Sequence, residues 1–222
     1  MRIAFLIEGA TEAKIQPGAG ESEPFPRRTA IQTLVARILG LPVEAINPWF
    51  PRPRGAGAGR ILSKGALILE NALGLAGCHG AVVLVDADGE AAERRKRLEK
   101  ILGELEQKNI PIAYRTAVGL AIEKFEAWLL ADEPSLCEVL GMPNPAEPLP
   151  PPETLPHRGK KDPKRILRSR IEQAGGSHVS FSELARRIVE RMDLHVLAER
   201  CPEGFGAFRD QVRQKLGPLF GR

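Results

Sequence analysis

The chain has 222 residues, of which 43% are hydrophobic and 27% are charged, and its formal net charge is +4. This balance is typical of a folded globular protein and excludes a disordered chain, and no apolar run approaches the about 20 residues that a membrane-spanning helix needs. Cys78, Cys137 and Cys201 are odd in number and far apart, so they indicate neither a disulfide framework nor a zinc site. We therefore expect a cytoplasmic protein that does not associate with membranes.

Strands and helices are predicted to alternate through the first half of the chain. Short apolar runs predict strands at 3–7, 43–50, 81–85 and 110–113. Apolar residues at helical spacing predict helices at 28–39, 61–75, 90–108 and 122–130. The order βαβαβαβ predicts an α/β fold, a parallel sheet flanked by helices and joined by right-handed crossovers.

The second half of the chain differs in composition. Seven of the 14 residues in 143–156 are proline, which stiffens the chain, so we predict a linker there between an α/β domain at 1–142 and a C-terminal region at 157–222. That region holds 15 Lys and Arg against 8 Asp and Glu. Helices are predicted at 163–173, which Asp162 would cap, and at 181–192 and 205–216. The C-terminal region is therefore predicted to be basic and α-helical.

Acidic side chains follow two of the predicted strands. Glu8 ends the first strand, and Asp86 and Asp88 follow the run at 81–85. Ligands of open parallel sheets bind beyond the carboxyl ends of the strands, and in extended geometry Asp86 and Asp88 would point the same way. Carboxylates suit Mg²⁺ or Mn²⁺, so the sequence predicts that Glu8, Asp86 and Asp88 bind one of these ions.

The DxD pattern is also compatible with three alternatives to this metal site. An Asp or Gly after a strand is common in turns. Phosphatases of the haloacid type also carry a DxD at a strand end, but their pattern expects a Thr soon after it, where this chain has Gly89-Glu90-Ala91. Glycosyltransferases with a DxD motif are a further alternative.

Two segments resemble a known domain. The strand followed by Glu8-Gly9-Ala10-Thr11-Glu12, and the later VVLVDADG, are similar to the two motifs of the Toprim domain of topoisomerases, primases and overcoming-lysogenization-defect nucleases. The segment FEAWLLAD at 125–132 resembles small bacterial Toprim-like proteins often found beside ATPase partners. Together, the similar segments span residues 1 to about 132. It implies a Toprim-like sheet, Mg²⁺ held by Asp86 and Asp88, and Glu8 as general acid or base.

Glu126 is a further catalytic candidate. On the predicted helix at 122–130 it falls inside the apolar stripe, where an unpaired charge is costly. It is therefore expected to be protonated, beside a metal, or in a buried ion pair with an arginine.

Basic residues in two places are candidates for contact with phosphate or nucleic acid. Arg54 and Arg60 flank a glycine-rich loop that matches no nucleotide-binding motif, and this loop is equally compatible with simple disorder. The second group surrounds the predicted helix at 163–173 and consists of Lys160, Lys161, Lys164, Arg165 and Arg168. Basic helix faces are often merely solvated, and no aromatic residues interleave here to stack on bases.

These features together predict Mg²⁺- or Mn²⁺-dependent phosphodiester hydrolysis on DNA or RNA by a Toprim-like nuclease, in phage defence or DNA processing. The alternative is a non-catalytic Toprim-like module that binds nucleic acid or a partner and works with an ATPase. The sequence does not specify the oligomeric state.

Overall fold

Four parallel strands form the centre of the fold. The structure is a computed structural model, and it describes residues 1–8, 28–51, 58–176 and 180–222. The strands are β1 (Arg2–Ile7), β2 (Asn47–Trp49), β3 (Gly80–Asp86) and β4 (Thr116–Ala121). They lie in the order β2-β1-β3-β4, and every neighbouring pair is parallel. The predicted parallel sheet is therefore confirmed.

Helices flank this sheet and make up the C-terminal region. They are α1 (Ala30–Ile38), α2 (Ala58–Gly74), α3 (Ala91–Gln107), α4 (Phe125–Leu129), α5 (Glu133–Leu140), α6 (Pro163–Gln173), α7 (Phe181–Arg191), α8 (Leu194–Arg200) and α9 (Ala207–Leu216). The prediction of an α/β fold with a helical C-terminal region is confirmed. Within the described residues, every helix is too short or too polar to cross a bilayer.

The interiors of β1 and β3 are apolar because helices cover both faces of the sheet. In β1, Phe5 belongs to one buried core with α1 and the C-terminal helices, whereas the neighbouring Leu6 belongs to a second core with α2 and α3. Successive strand residues point to opposite faces, so β1, β3 and β4 contribute to both cores. The result is three layers, helices over sheet over helices.

The C-terminal helices pack against the sheet. Trp128 of α4 stacks on Phe208 of α9 with ring centroids 5.6 Å apart, and it meets Phe205 edge-on at 5.5 Å. Phe208 also lies over Gly119 of β4, where an added Cβ would come within 2.6 Å of its ring. Residues on both sides of the proline-rich segment at 143–156 therefore share one core.

The last strand lies further along the chain than the sequence indicated. The prediction of a strand at 110–113 is wrong, because Pro111–Arg115 forms a 3-10 helix and the strand is Thr116–Ala121. Asn109 has a left-handed backbone, with φ of 52°, and Pro111 cannot donate a ladder hydrogen bond. The true strand was missed because small residues interrupt its apolar run, among them Gly119, which leaves room for Phe208.

Two other boundaries differ from the prediction. The helix expected at 122–130 begins only at Phe125, because Glu123 has a left-handed φ of 63° and Lys124 is extended. The weak strand expected at 43–50 shortens to Asn47–Trp49 after a 3-10 turn. Pro48 is tolerated there because β2 is an edge strand.

Asp132 and Glu133 connect the sheet layer to the C-terminal helices. Asp132 accepts hydrogen bonds from the backbone N–H of Ser135, at 3.3 Å, and of Asp193, at 2.7 Å. Glu133 accepts from the backbone N–H of Leu149 at 2.6 Å and pairs with Arg200 at 3.3 Å. Both acids are buried. We call this pair and its partners the acidic junction.

Candidate active site

The acids at the strand ends lie where the sheet changes direction. From β1 the chain moves outward to β2, and from β3 it moves outward on the other side to β4, so the switch lies between β1 and β3. The helix that follows β1, α1, covers one face, and α3, which follows β3, covers the other. In open α/β sheets, ligands bind in a crevice at such a point, at the carboxyl ends of the two strands.

Glu8 lies against the end of β3 in this crevice. Its backbone N–H donates to the carbonyl of Leu84 at 2.9 Å, which continues the pairing of β1 with β3 by one residue. Its side-chain Oε2 accepts a hydrogen bond of 2.9 Å from the backbone N–H of Asp86. The structure therefore brings the two predicted strand-end acids together.

A guanidinium group lies among the acids. Arg94, in the first turn of α3, donates through Nη1 to Glu8 Oε2 at 3.0 Å and through Nη2 to Asp88 Oδ2 at 3.3 Å. It also donates to the backbone carbonyl of Asp86 and pairs with Glu90 at 3.5 Å. The Arg94 side chain is only 12% exposed, against 16% for Glu8 and 37% for Asp88. We call Glu8, Asp86, Asp88 and Arg94 the acidic site.

Asp86 and Asp88 do not point the same way, because the chain turns sharply between them. Asp86 Oδ1 accepts from the backbone N–H of Phe125 at 2.9 Å, so it faces the start of α4. Asp88 and Gly89 have left-handed φ values of 46° and 79°. The assumption of extended geometry after β3 was wrong, and the two carboxylates reach different partners.

A segment from beyond the proline-rich region covers this turn. The ring of His157 lies so close to Gly89 that an added Cβ would come within 2.8 Å of it. Lys124 Nζ donates to the carbonyl of His157 at 3.0 Å and forms an ion pair with Asp162. Asp162 also accepts from the backbone N–H of Lys164 at 2.8 Å, so the predicted cap of α6 is confirmed.

Glu126 is buried beside this segment. Burial raises the pKa of Glu126, while the charges of Lys164 and Lys124 act in the opposite direction. The backbone N–H of its neighbour Phe125 donates a hydrogen bond to the Asp86 carboxylate. Burial thus makes the charged form of Glu126 less favourable than that of an exposed glutamate.

The basic candidates lie in different places. Lys160, Lys161, Lys164, Arg165 and Arg168 are exposed on the segment that covers the turn and on the first turns of α6. Arg60 lies in the first turn of α2, which also begins beyond the carboxyl end of a strand, β2. Arg54 and residues 9–12 lie outside the described residues.

The acidic site offers oxygen ligands to a divalent cation. Among the residues that the structure describes, no group of three or more His, Cys, Asp or Glu side chains could hold a metal ion. Glu8 and Asp88 nevertheless converge on one cation, the Arg94 guanidinium. Mg²⁺ commonly takes one or two carboxylates and completes its shell with water and phosphate oxygens, so the donor set fits such an ion.

Sequence reasoning missed Arg94, although a signal for it existed. Leu98, Ile101 and Leu105 form the buried stripe of α3, and Arg94 precedes Leu98 by one helical turn on the same stripe. A cation at a buried position requires an anionic partner, and the acids lie next to the start of this helix. Lys124 and His157 gave no comparable signal, because their partners are distant in sequence.

Comparison with known proteins gives one family. Residues 64–213, more than half of the chain, match the family described as Domain of unknown function (DUF4276). The matched range includes Asp86, Asp88 and Arg94 and crosses the proline-rich segment, whereas Glu8 precedes it. No curated protein and no solved structure matches the chain. The chain belongs to the DUF4276 family, a domain of unknown function.

Proposed function

We propose that the chain hydrolyses phosphodiester bonds in DNA or RNA at the acidic site, with Mg²⁺ or Mn²⁺ as the cofactor. One observation carries this proposal: Glu8 and Asp88 converge on a single cationic group at the switch point of a parallel sheet. A crevice there, lined by hard oxygen ligands, is suited to phosphoryl chemistry. The resemblance of the two acidic segments to Toprim motifs supports the same conclusion.

The acidic residues have two roles in this proposal. The bound ion would neutralise charge on the phosphate and activate water. Asp86, Asp88 and Glu8 would hold it, and the Phe125 N–H would keep the Asp86 carboxylate oriented at the end of β3. Glu126, whose pKa is raised by burial, would keep a proton that can be given to a leaving oxygen.

The basic segment next to the site would bind the nucleic acid backbone. Lys160, Lys161 and Lys164 are exposed on the stretch that His157 and Asp162 anchor beside Gly89 and Lys124. Lysine and arginine side chains at this place would hold phosphates independently of base sequence. We expect this binding to weaken as the salt concentration is raised. The proposed function also implies a cytoplasmic location.

A second candidate is a non-catalytic module that binds nucleic acid or an ATPase partner. The Arg94 network favours it, since the guanidinium group neutralises the charges of Glu8 and Asp88. In this case the acids stabilise the crevice and no bond is cleaved.

Cleavage assays separate the two candidates. The protein, the Asp86→Ala/Asp88→Ala variant and a control, Glu93→Ala, are incubated with single- and double-stranded DNA and RNA in Mg²⁺ or Mn²⁺. Glu93 is a suitable control because it is on the same helix as Arg94 but pairs on the surface with Arg97. We expect cleavage by the wild type and the control but not by the double variant. Intact substrates with all three proteins, or equal cleavage by the double variant, would exclude the proposed activity.

A further inference from the structure

Arg94 lies among several negatively charged partners. Its three nitrogens contact three carboxylates and one carbonyl, from Glu8, Asp86, Asp88 and Glu90. These groups come from the ends of β1 and β3 and the start of α3. The guanidinium group therefore links the ends of β1 and β3 to the start of α3.

Electrostatics explains why a cation is needed there. Glu8 is only 16% exposed and lies close to Asp86 and Asp88, so without a positive group their negative charges would repel one another. In the structure Arg94 provides that charge. A divalent cation bound to Glu8 and Asp88 would need oxygens that now accept from Arg94, and it would bring a second positive charge next to the guanidinium.

We propose that Arg94 is an internal cation that competes with the divalent metal for the acidic site. It keeps the acids together when no metal is bound, and it must leave Glu8 and Asp88 when a metal binds. This inference rests on the metal site of the proposed function, but it does not require that the site cleave nucleic acid.

The alternative is that Arg94 only organises the metal ligands. The two roles have opposite consequences. Removing an organiser disorders the acids and weakens metal binding, whereas removing a competitor strengthens it. Arg94→Gln is the appropriate change because it removes the charge while keeping a polar, though shorter, side chain.

The experiment is a calorimetric titration of the metal-free protein with Mn²⁺. The wild type is compared with Arg94→Gln, Arg94→Lys and a matched control, Arg97→Gln. Arg97 lies on the same helix and pairs with Glu93 at 2.8 Å, on the surface. Melting temperatures of all four proteins are measured with a chelator and with saturating Mn²⁺.

We expect Arg94→Gln to bind Mn²⁺ about tenfold more tightly than the wild type, the scale of one charge interaction at a partly buried site. Arg94→Lys keeps the charge but lacks the planar guanidinium group. Its affinity for Mn²⁺ should therefore lie between those of the wild type and Arg94→Gln. Arg97→Gln should bind as the wild type does. Without metal, Arg94→Gln should melt at a lower temperature than the wild type, and Mn²⁺ should raise its melting temperature by more.

Equal or weaker Mn²⁺ binding by Arg94→Gln, or no binding by any variant, overturns the inference. Arg94→Lys decides the question if Arg94→Gln does not fold, because equal or weaker binding by that variant has the same meaning. The proposed function is judged by a separate result, the cleavage assay. Tighter Mn²⁺ binding by Arg94→Gln together with intact nucleic acids would support the competition and reject the nuclease.

Discussion

The acidic junction and the acidic site both contain carboxylates bound to arginine, but different groups hold the carboxylates in place. In the junction, Asp132 and Glu133 are buried and accept backbone N–H groups from three separate segments, with Arg200 as an additional partner. In the site, Glu8 and Asp86 also accept backbone N–H groups, but the Arg94 side chain links Glu8 to Asp88 and holds Asp88 Oδ2.

This difference separates a structural acid from one that can change partners. A backbone N–H is fixed by the fold, so losing its acceptor leaves a buried donor unsatisfied. A long arginine side chain can rotate away and leave a partly exposed carboxylate to another cation. We therefore expect changes in the junction to affect stability and changes in the acidic site to affect function.

The largest expected effect is on cleavage by Asp88→Asn. Loss of this charge should lower the cleavage rate by about 100-fold or more, because a carboxylate in contact with the ion would be missing. The melting temperature should change little, since Asp88 is partly exposed. Rates and melting curves are measured on the same preparations. A variant that unfolds easily but cleaves normally per folded molecule would show that Asp88 is structural.

Asp132→Ala should have the opposite effect. Two backbone N–H groups and the Ser135 hydroxyl lose their acceptor, so the free energy of unfolding should fall by about 2 to 4 kcal/mol. Urea denaturation measures this change, with Asp132→Asn as the matched control, because it keeps one acceptor oxygen and should cost less. Unchanged stability in Asp132→Ala would remove the distinction between junction and site.

Breaking the ion pair of Lys124 with Asp162 should have an effect of intermediate size. Lys124→Met leaves Asp162 buried without its cation, so we expect a loss of about 1 to 3 kcal/mol and weaker nucleic acid binding as the basic segment loosens. Adding Asp162→Asn should recover part of the stability, because asparagine still caps α6. A double-mutant cycle by urea denaturation tests this coupling, and additive costs would contradict it.

The smallest effect is the pH dependence that Glu126 contributes. Because burial raises its pKa above the usual 4.5, the folded protein holds this proton to higher pH than the unfolded chain. Its contribution to stability is complete below pH 4.5 and is lost as pH rises through the folded pKa. Glu126→Gln should therefore be more stable than the wild type at neutral pH, and the difference should vanish in acid. Melting temperatures across pH measure it, and a constant difference would contradict the assignment.

The sequence was informative where local patterns sufficed. The apolar runs of β1 and β3 end in acids, and this alone predicted that Glu8 and Asp86 would meet. The position of β4 could not be predicted, because Gly119 is small to accommodate Phe208, which lies far away in the chain. The role of Arg94 was hidden for a similar reason, since one of its partners, Glu8, is on a distant strand.

The packing of Phe208 on Gly119 has a consequence for how the chain folds during synthesis. The strands are made early, but α9 is made much later, after the proline-rich segment and the basic helices. Until α9 has been synthesised, the sheet face that carries Phe5 and Leu84 lacks part of the helical layer that packs on it. Contacts between such distant segments slow folding and leave apolar surface open to association with other chains. A nascent chain of this protein therefore passes through a stage in which apolar surface of the sheet is exposed to other chains.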